Sequence, residues 1–184
     1  MSRHVCPWWV GYLLLSPFRR VLHNPRKWFG PFVHEGMTVL EPGPAMGYFT
    51  LDLARMVGPS GRVIAVDVQP RMIARLRERA ARAGLGARID ARLVGERGLE
   101  IDDCRGRVDL AVAIFMVHEL PEGHAFFAEV HRALRPGGRL IVAEPRLHVS
   151  RAAFERSIER AIAAGFRLED RVPFRGPRAA ELSR

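Results

Sequence analysis

Residues 38–67 read TVLEPGPAMGYFTLDLARMVGPSGRVIAVD. The stretch begins with a short apolar strand at 38–41. Residues 48–57 carry helical spacing and stop at Gly58-Pro59. Residues 62–67 are β-branched and apolar toward both faces, as strands buried in a parallel sheet are. A strand, a glycine-rich turn, a helix and a second strand make one βαβ unit.

The same alternation runs outward from this unit. Gln69-Pro70 starts a helix in which Met72, Ile73, Leu76, Ala80 and Ala83 share a face, and Gly84 ends it. Strands are expected at 89–93 and 108–114. A helix over 122–135 closes at Pro136-Gly137-Gly138, and a strand follows at 139–143. Ser150 caps a further helix carrying Phe154, Ile158, Ala161 and Ile162, and closing strands are expected at 166–172 and 179–182. Strict β/α alternation predicts an α/β three-layer sandwich, a mostly parallel seven-stranded sheet covered on both faces. In such a sheet the ligand lies outside the carboxyl ends of the strands, where the strand order reverses.

Composition narrows the rest. The 184 residues fit one domain and bury enough surface to need no disulfide or metal. Cys6 and Cys104 are no disulfide framework, which suggests a cytoplasmic setting. No 18-residue apolar run is present. The stretch 5–15 superficially resembles a signal peptide, but Pro7, Gly11 and two tryptophans argue against one. The net charge is +9, and 28 of the 29 basic residues are arginine. They are scattered among acids and alanines rather than gathered in a block, which disfavours nucleic acid as the partner.

The turn Glu41-Pro42-Gly43-Pro44-Ala45-Met46-Gly47 should let backbone amides approach a ligand. It fails the dinucleotide fingerprint, because Tyr48 stands at the third glycine position, and no Lys-Ser/Thr follows to make a phosphate loop. It retains an acid and small residues at alternate positions, Glu41-x-Gly43-x-Ala45-x-Gly47.

This pattern resembles the first motif of class I S-adenosylmethionine-dependent methyltransferases. Asp67, twenty residues after Gly47, stands where that family's acid takes the ribose hydroxyls. Val108-Asp109-Leu110 and Leu134-Arg135-Pro136-Gly137-Gly138 resemble its later motifs. The resemblance covers 36–184 and implies a Rossmann-like fold with S-adenosyl-L-methionine as cofactor. It also implies methyl transfer to a small, hydrophobic acceptor. Gly43, Ala45 and Gly47 would contact the methionine moiety, and Glu41 its ammonium group. Asp67 would hold the ribose, Gly95 and Glu96 the adenine, and Phe115 and Met116 would line the methionine side. Ala45 departs from the family's glycine and would be strained at positive φ.

After the fourth strand the family's amine-methylating enzymes carry an Asn/Asp-Pro-Pro-Tyr/Phe sequence. Phe115-Met116-Val117-His118 stands there instead and disfavours that chemistry. His118 is a candidate general base, with Glu119 setting its tautomer. Its alternative is a packed pocket wall. Glu144 and His148 are further acceptor-side candidates. No metal site is expected, because the second histidine of a zinc motif would fall at Glu122. His124 and His131 should line a solvated helix face.

Residues 1–35 are rich in Trp, Phe and Leu. They are expected to cover the acceptor pocket or to touch a membrane surface peripherally. Two further functions stay open: a non-catalytic S-adenosylmethionine-binding protein, and an RNA- or ribosome-directed methyltransferase using the positive charge.

Overall fold

The computed structural model describes residues 23–121, 123, 125–174 and 176–184. Most of the 1–35 segment, with Cys6, and His124 lie outside the described residues. The strands are β1 (Thr38–Pro42), β2 (Arg62–Asp67), β3 (Ile89–Leu93), β4 (Val108–Ile114), β5 (Leu134–Glu144), β6 (Arg167–Asp170) and β7 (Arg178–Ser183). The helices are α1 (Pro25–Phe29), α2 (Thr50–Met56), α3 (Pro70–Arg82), α4 (Phe126–Ala133) and α5 (Arg151–Ala163). One seven-stranded sheet has the order β3-β2-β1-β4-β5-β7-β6. Strands β1 to β5 are parallel, and β7 runs antiparallel to both β5 and β6.

Period-two alternation sorts the strand residues between two cores. Leu40, Ile64, Val66, Ala111, Ala113, Leu140 and Val142 pack under α4 and α5 with Phe126, Val130, Phe154 and Ile158. Val39, Val63, Ala65, Leu110, Val112 and Ile141 face the other way, against Phe29, Leu53, Ile73 and Leu76 of α1 to α3. Both faces are therefore sealed, and ligands can approach only at the strand ends.

Several boundaries differ from the sequence-based ones. Helix α2 starts at Thr50 rather than 48, because Met46–Phe49 still belong to the turn. Helix α4 spans Phe126–Ala133, and Leu134 already belongs to β5. Pro136-Gly137-Gly138 therefore lies inside the strand as a bulge: Leu134 pairs with Val108, and the register resumes at Arg139 opposite Leu110. Gly137 takes φ +73° there, which explains a glycine at that point. His131 is half-buried rather than on a fully solvated face, and it meets the Phe166 ring edge-on at 5.1 Å. Cys104 is buried in the core rather than lying in a polar loop.

The described part of the N-terminal segment is continuous with the core. Trp28 and Phe29 are buried, and Val33 packs beside β1. Asn24 caps α1 by accepting from the amides of Arg26 and Lys27.

Candidate active site

The strand order reverses between β1 and β4, and the turns following β1, β2, β4 and β5 converge at that edge. Glu41 sits near the end of β1 and Asp67 at the end of β2, with Pro42 paired to Val66 beside them. Both carboxyls are buried. Burial pushes Glu41 up to about 7, with the nearby Thr50 hydroxyl offsetting part of this and the Asp67 charge adding to it. Glu41 Oε2 and Thr50 Oγ1 have no hydrogen-bond partner in the protein. Asp67 is raised to about 6, again chiefly by burial, with hydrogen bonds from Gln69, Ala45 and Val68 opposing it and the Glu119 charge adding. Asp67 Oδ1 accepts from the Gln69 amide at 2.9 Å.

The turn between Glu41 and α2 is built from left-handed backbone. Gly43, Ala45 and Gly47 take φ +66°, +49° and +80°. Ala45 is thus strained as its sequence position suggested, at a cost of order 1 kcal/mol. Two of the amides that the sequence offered to a ligand, those of Gly43 and Gly47, are engaged internally instead. Gly43 N donates to Val66 O at 2.9 Å and Gly47 N to Pro44 O at 2.9 Å. What the turn can offer a cationic ligand is carbonyl oxygen. Gly47 also has an internal reason to lack a side chain, since a Cβ would stand 2.4 Å from Leu76 Cδ1 and 3.0 Å from Leu51 Cδ1. At Gly43 a Cβ would meet Met116 at 3.0 Å, so Met116 packs directly on the turn. Arg79 from α3 donates to the Met46 carbonyl and ties the turn down.

Phe115, just past β4, has φ +61°, rare for an aromatic residue and a sign of a constrained site. Its amide donates to Ala143 O at 2.8 Å. Its ring meets His23 at 5.2 Å and Trp28 at 6.1 Å, both edge-on. Trp28 in turn stacks on Phe174 at 4.6 Å, bringing α1 and the β6–β7 connection to the same edge. Tyr48 Oη donates to His23 O at 2.9 Å.

In the turn after β4, His118 Nδ1 lies 2.6 Å from Glu144 Oε2, and its amide donates to Glu144 Oε1 at 3.2 Å. The ring partner of His118 is therefore Glu144 at the end of β5, not Glu119. The Glu119 charge instead raises both Asp67 and His118. His148 is exposed in the turn after β5. Gly95 does not present its amide to a ligand: that N–H donates to Glu100 Oε1 at 2.7 Å. Glu96 is exposed beside it. Sequence reasoning missed Val68 and Leu120, half-buried and packed on the same core as Met116. The position of Val68 immediately after the strand-end acid was the available signal. Among the described residues, no group of three or more His, Cys, Asp or Glu could hold a metal ion.

The methyltransferase-domain family model matches residues 39–138. The chain belongs to that family. Its fold is that of the class I S-adenosylmethionine-dependent methyltransferases. Over 110 residues the chain is 36% identical to an arsenite methyltransferase of Halobacterium salinarum, covering 59% of this chain and 27% of the relative. It is 29% identical over 112 residues to a ubiquinone/menaquinone biosynthesis C-methyltransferase of an Enterobacter species, covering 61% and 44% respectively. This methyltransferase domain thus spans less than half the length of these relatives. A crystal structure of an S-adenosylmethionine-dependent methyltransferase from Aquifex aeolicus superposes with a TM-score of 0.85. That comparison covers 97% of this chain and 99% of the other, at 25% identity.

The residues fit the family's cofactor, S-adenosylmethionine, on their own chemistry. A buried, unpartnered carboxylate oxygen on Glu41 suits an ammonium donor. A buried carboxylate on Asp67, at the end of the adjacent strand, suits a pair of hydroxyl donors. Half-buried Phe115, Met116 and Val68 suit the apolar parts.

Proposed function

We propose that this domain transfers a methyl group from S-adenosylmethionine to a small, largely apolar acceptor by in-line displacement. The observation that carries this is the pair of buried acids, Glu41 with an unpartnered oxygen and Asp67, on adjacent strands at the switch point. Glu41 and the carbonyls of the Gly43–Gly47 turn would take the ammonium group, Asp67 the ribose hydroxyls, and the β3 turn around Glu96 the adenine. The bound cofactor supplies a methyl group on a sulfonium whose positive charge disappears on transfer. The chain itself supplies orientation and exclusion of water. Phe115 and Met116 would line the methionine side, and positioning of this kind accounts for several kcal/mol of a barrier.

Residues Glu119, Glu144, His118 and His148 surround the acceptor side. The names of the two relatives support a small-molecule acceptor, arsenite in one and a quinone precursor in the other. Among the described residues no helix is long and apolar enough to cross a membrane. Peripheral contact through residues 1–35 remains part of the proposal, and liposome sedimentation with and without that segment tests it.

Incubating the protein with S-adenosylmethionine and a panel of quinols, phenols and thiols provides the test of turnover. A product heavier by one methyl group, formed together with S-adenosylhomocysteine, is the expected result. Cofactor binding without turnover would make the chain a binding protein. Methylation confined to RNA, with affinity falling steeply with salt, would overturn the small-acceptor proposal.

A further inference from the structure

Cofactor binding does not account for the pair formed by His118 and Glu144. Glu144 ends β5 and is 1% exposed, and both its oxygens are taken up by one residue. Oε2 lies 2.6 Å from His118 Nδ1, and Oε1 accepts the His118 amide at 3.2 Å. A carboxylate only accepts, so in this pair the ring proton stands on Nδ1. The neutral imidazole then carries its lone pair on Nε2, which has no protein partner among the described residues. The side chain is 32% exposed, so Nε2 is within reach of a small molecule.

The location is that of an acceptor site. His118 lies in the turn Val117–Glu119, directly after Phe115 and Met116. Met116 packs on the Gly43 turn, and the Glu119 charge reaches Asp67, so the residues on either side of His118 both border the cofactor half. The charged groups that bear on the ring are Glu144 from β5 and Glu119 from its own turn. The Glu144 hydrogen bond raises the imidazole above its ordinary value, and the charges of Glu144 and Glu119 add to this against burial.

The geometry points to Glu144 as a positioning residue that fixes the Nδ1–H tautomer of His118, leaving Nε2 to take a proton from an ionisable hydroxyl or thiol on the acceptor. This rests on the methyl-transfer proposal and narrows its substrate class. The acceptor O–H or S–H bond breaks, its proton bonds to Nε2, and the electron pair stays on the acceptor atom as nucleophile. The imidazolium then returns the proton to water.

Nitrogen-15 NMR of the ring in the cofactor-free protein tests the positioning role. Wild type should show the Nδ1–H tautomer. In Glu144→Gln the two tautomers should mix and the titration midpoint should fall, because the hydrogen bond and charge that raise it are lost. Glu144→Asp should restore part of the shift. An Nε2–H ring in wild type, or no change in Glu144→Gln, would overturn the inference.

The acceptor class is tested by absorbance with 4-nitrophenol and thiophenol at about pH 6, where both are mainly neutral in solution, on protein saturated with S-adenosylhomocysteine. At least one probe should ionise on binding to wild type, and roughly tenfold less in His118→Gln. Binding in neutral form, equal ionisation in His118→Gln, or binding of neither probe would contradict the class. S-adenosylhomocysteine affinity should be unchanged in these variants. Failure of wild type to bind it would strike the methyl-transfer proposal instead.

Discussion

Ala45 pays for its place in the turn with backbone strain, since φ +49° puts its Cβ close to neighbouring backbone. Ala45→Gly should raise the thermal midpoint slightly, with a gain of up to about 0.5 kcal/mol after the extra flexibility of glycine in the unfolded chain is offset. Thermal unfolding followed by circular dichroism reads this directly, and a lowered midpoint would mean the turn is not strained there. Glu41 makes a sharper case. Its carboxyl titrates near 4.5 when exposed and near 7 when folded, so the folded protein holds the proton more tightly. That contribution to stability is complete below pH 4.5 and is lost as pH rises through 7, on the order of 3 kcal/mol in all. Glu41→Gln should therefore gain stability relative to wild type on going from pH 5 to pH 8. Binding of an ammonium-bearing ligand runs the other way. Affinity for S-adenosylhomocysteine should rise at least about tenfold between pH 6 and pH 8 in wild type and only about twofold, from Asp67, in Glu41→Gln.

At the scale of elements, α1 is held by its aromatic faces rather than by its length. Trp28 stacks on Phe174 at 4.6 Å and on Phe49 at 5.7 Å, and Phe29 is fully buried next to it. Trp28→Ala should cost about 3–5 kcal/mol in denaturant unfolding. A loss under about 1 kcal/mol would mean that α1 is only loosely attached. The sheet strands were legible in the sequence because both of their faces are buried, so most read as short unbroken apolar runs bounded by turn residues. Glu41 and Asp67 were legible for a related reason, each being an acid at the end of an apolar run. The His118–Glu144 pair was not, because its partners are 26 residues apart and meet only when β4 and β5 lie side by side. The β5 bulge escaped as well. Pro-Gly-Gly ends most helices, and only pairing of Leu134 with Val108 carries the strand back past it.

For the whole molecule, the net charge is +9, and part of the arginine content is engaged in ion pairs. Arg92 bridges Asp90 and Asp103, Arg135 pairs with Asp109, and Arg139 with Glu181. Arg75 and Arg82 both engage Glu78 along α3. Pairs this exposed add little stability each, and they leave the net charge unchanged. The proposed function rests on one end of the sheet, where Glu41 and Asp67 hold two buried carboxyls on adjacent strands. Isothermal titration calorimetry with S-adenosylhomocysteine at pH 8, on wild type and on Asp67→Ala, tests that assignment most directly. Wild type should bind, and the variant should bind at least about tenfold more weakly, since a buried charged acceptor is lost. Absence of binding by wild type, or undiminished binding by Asp67→Ala, would contradict it.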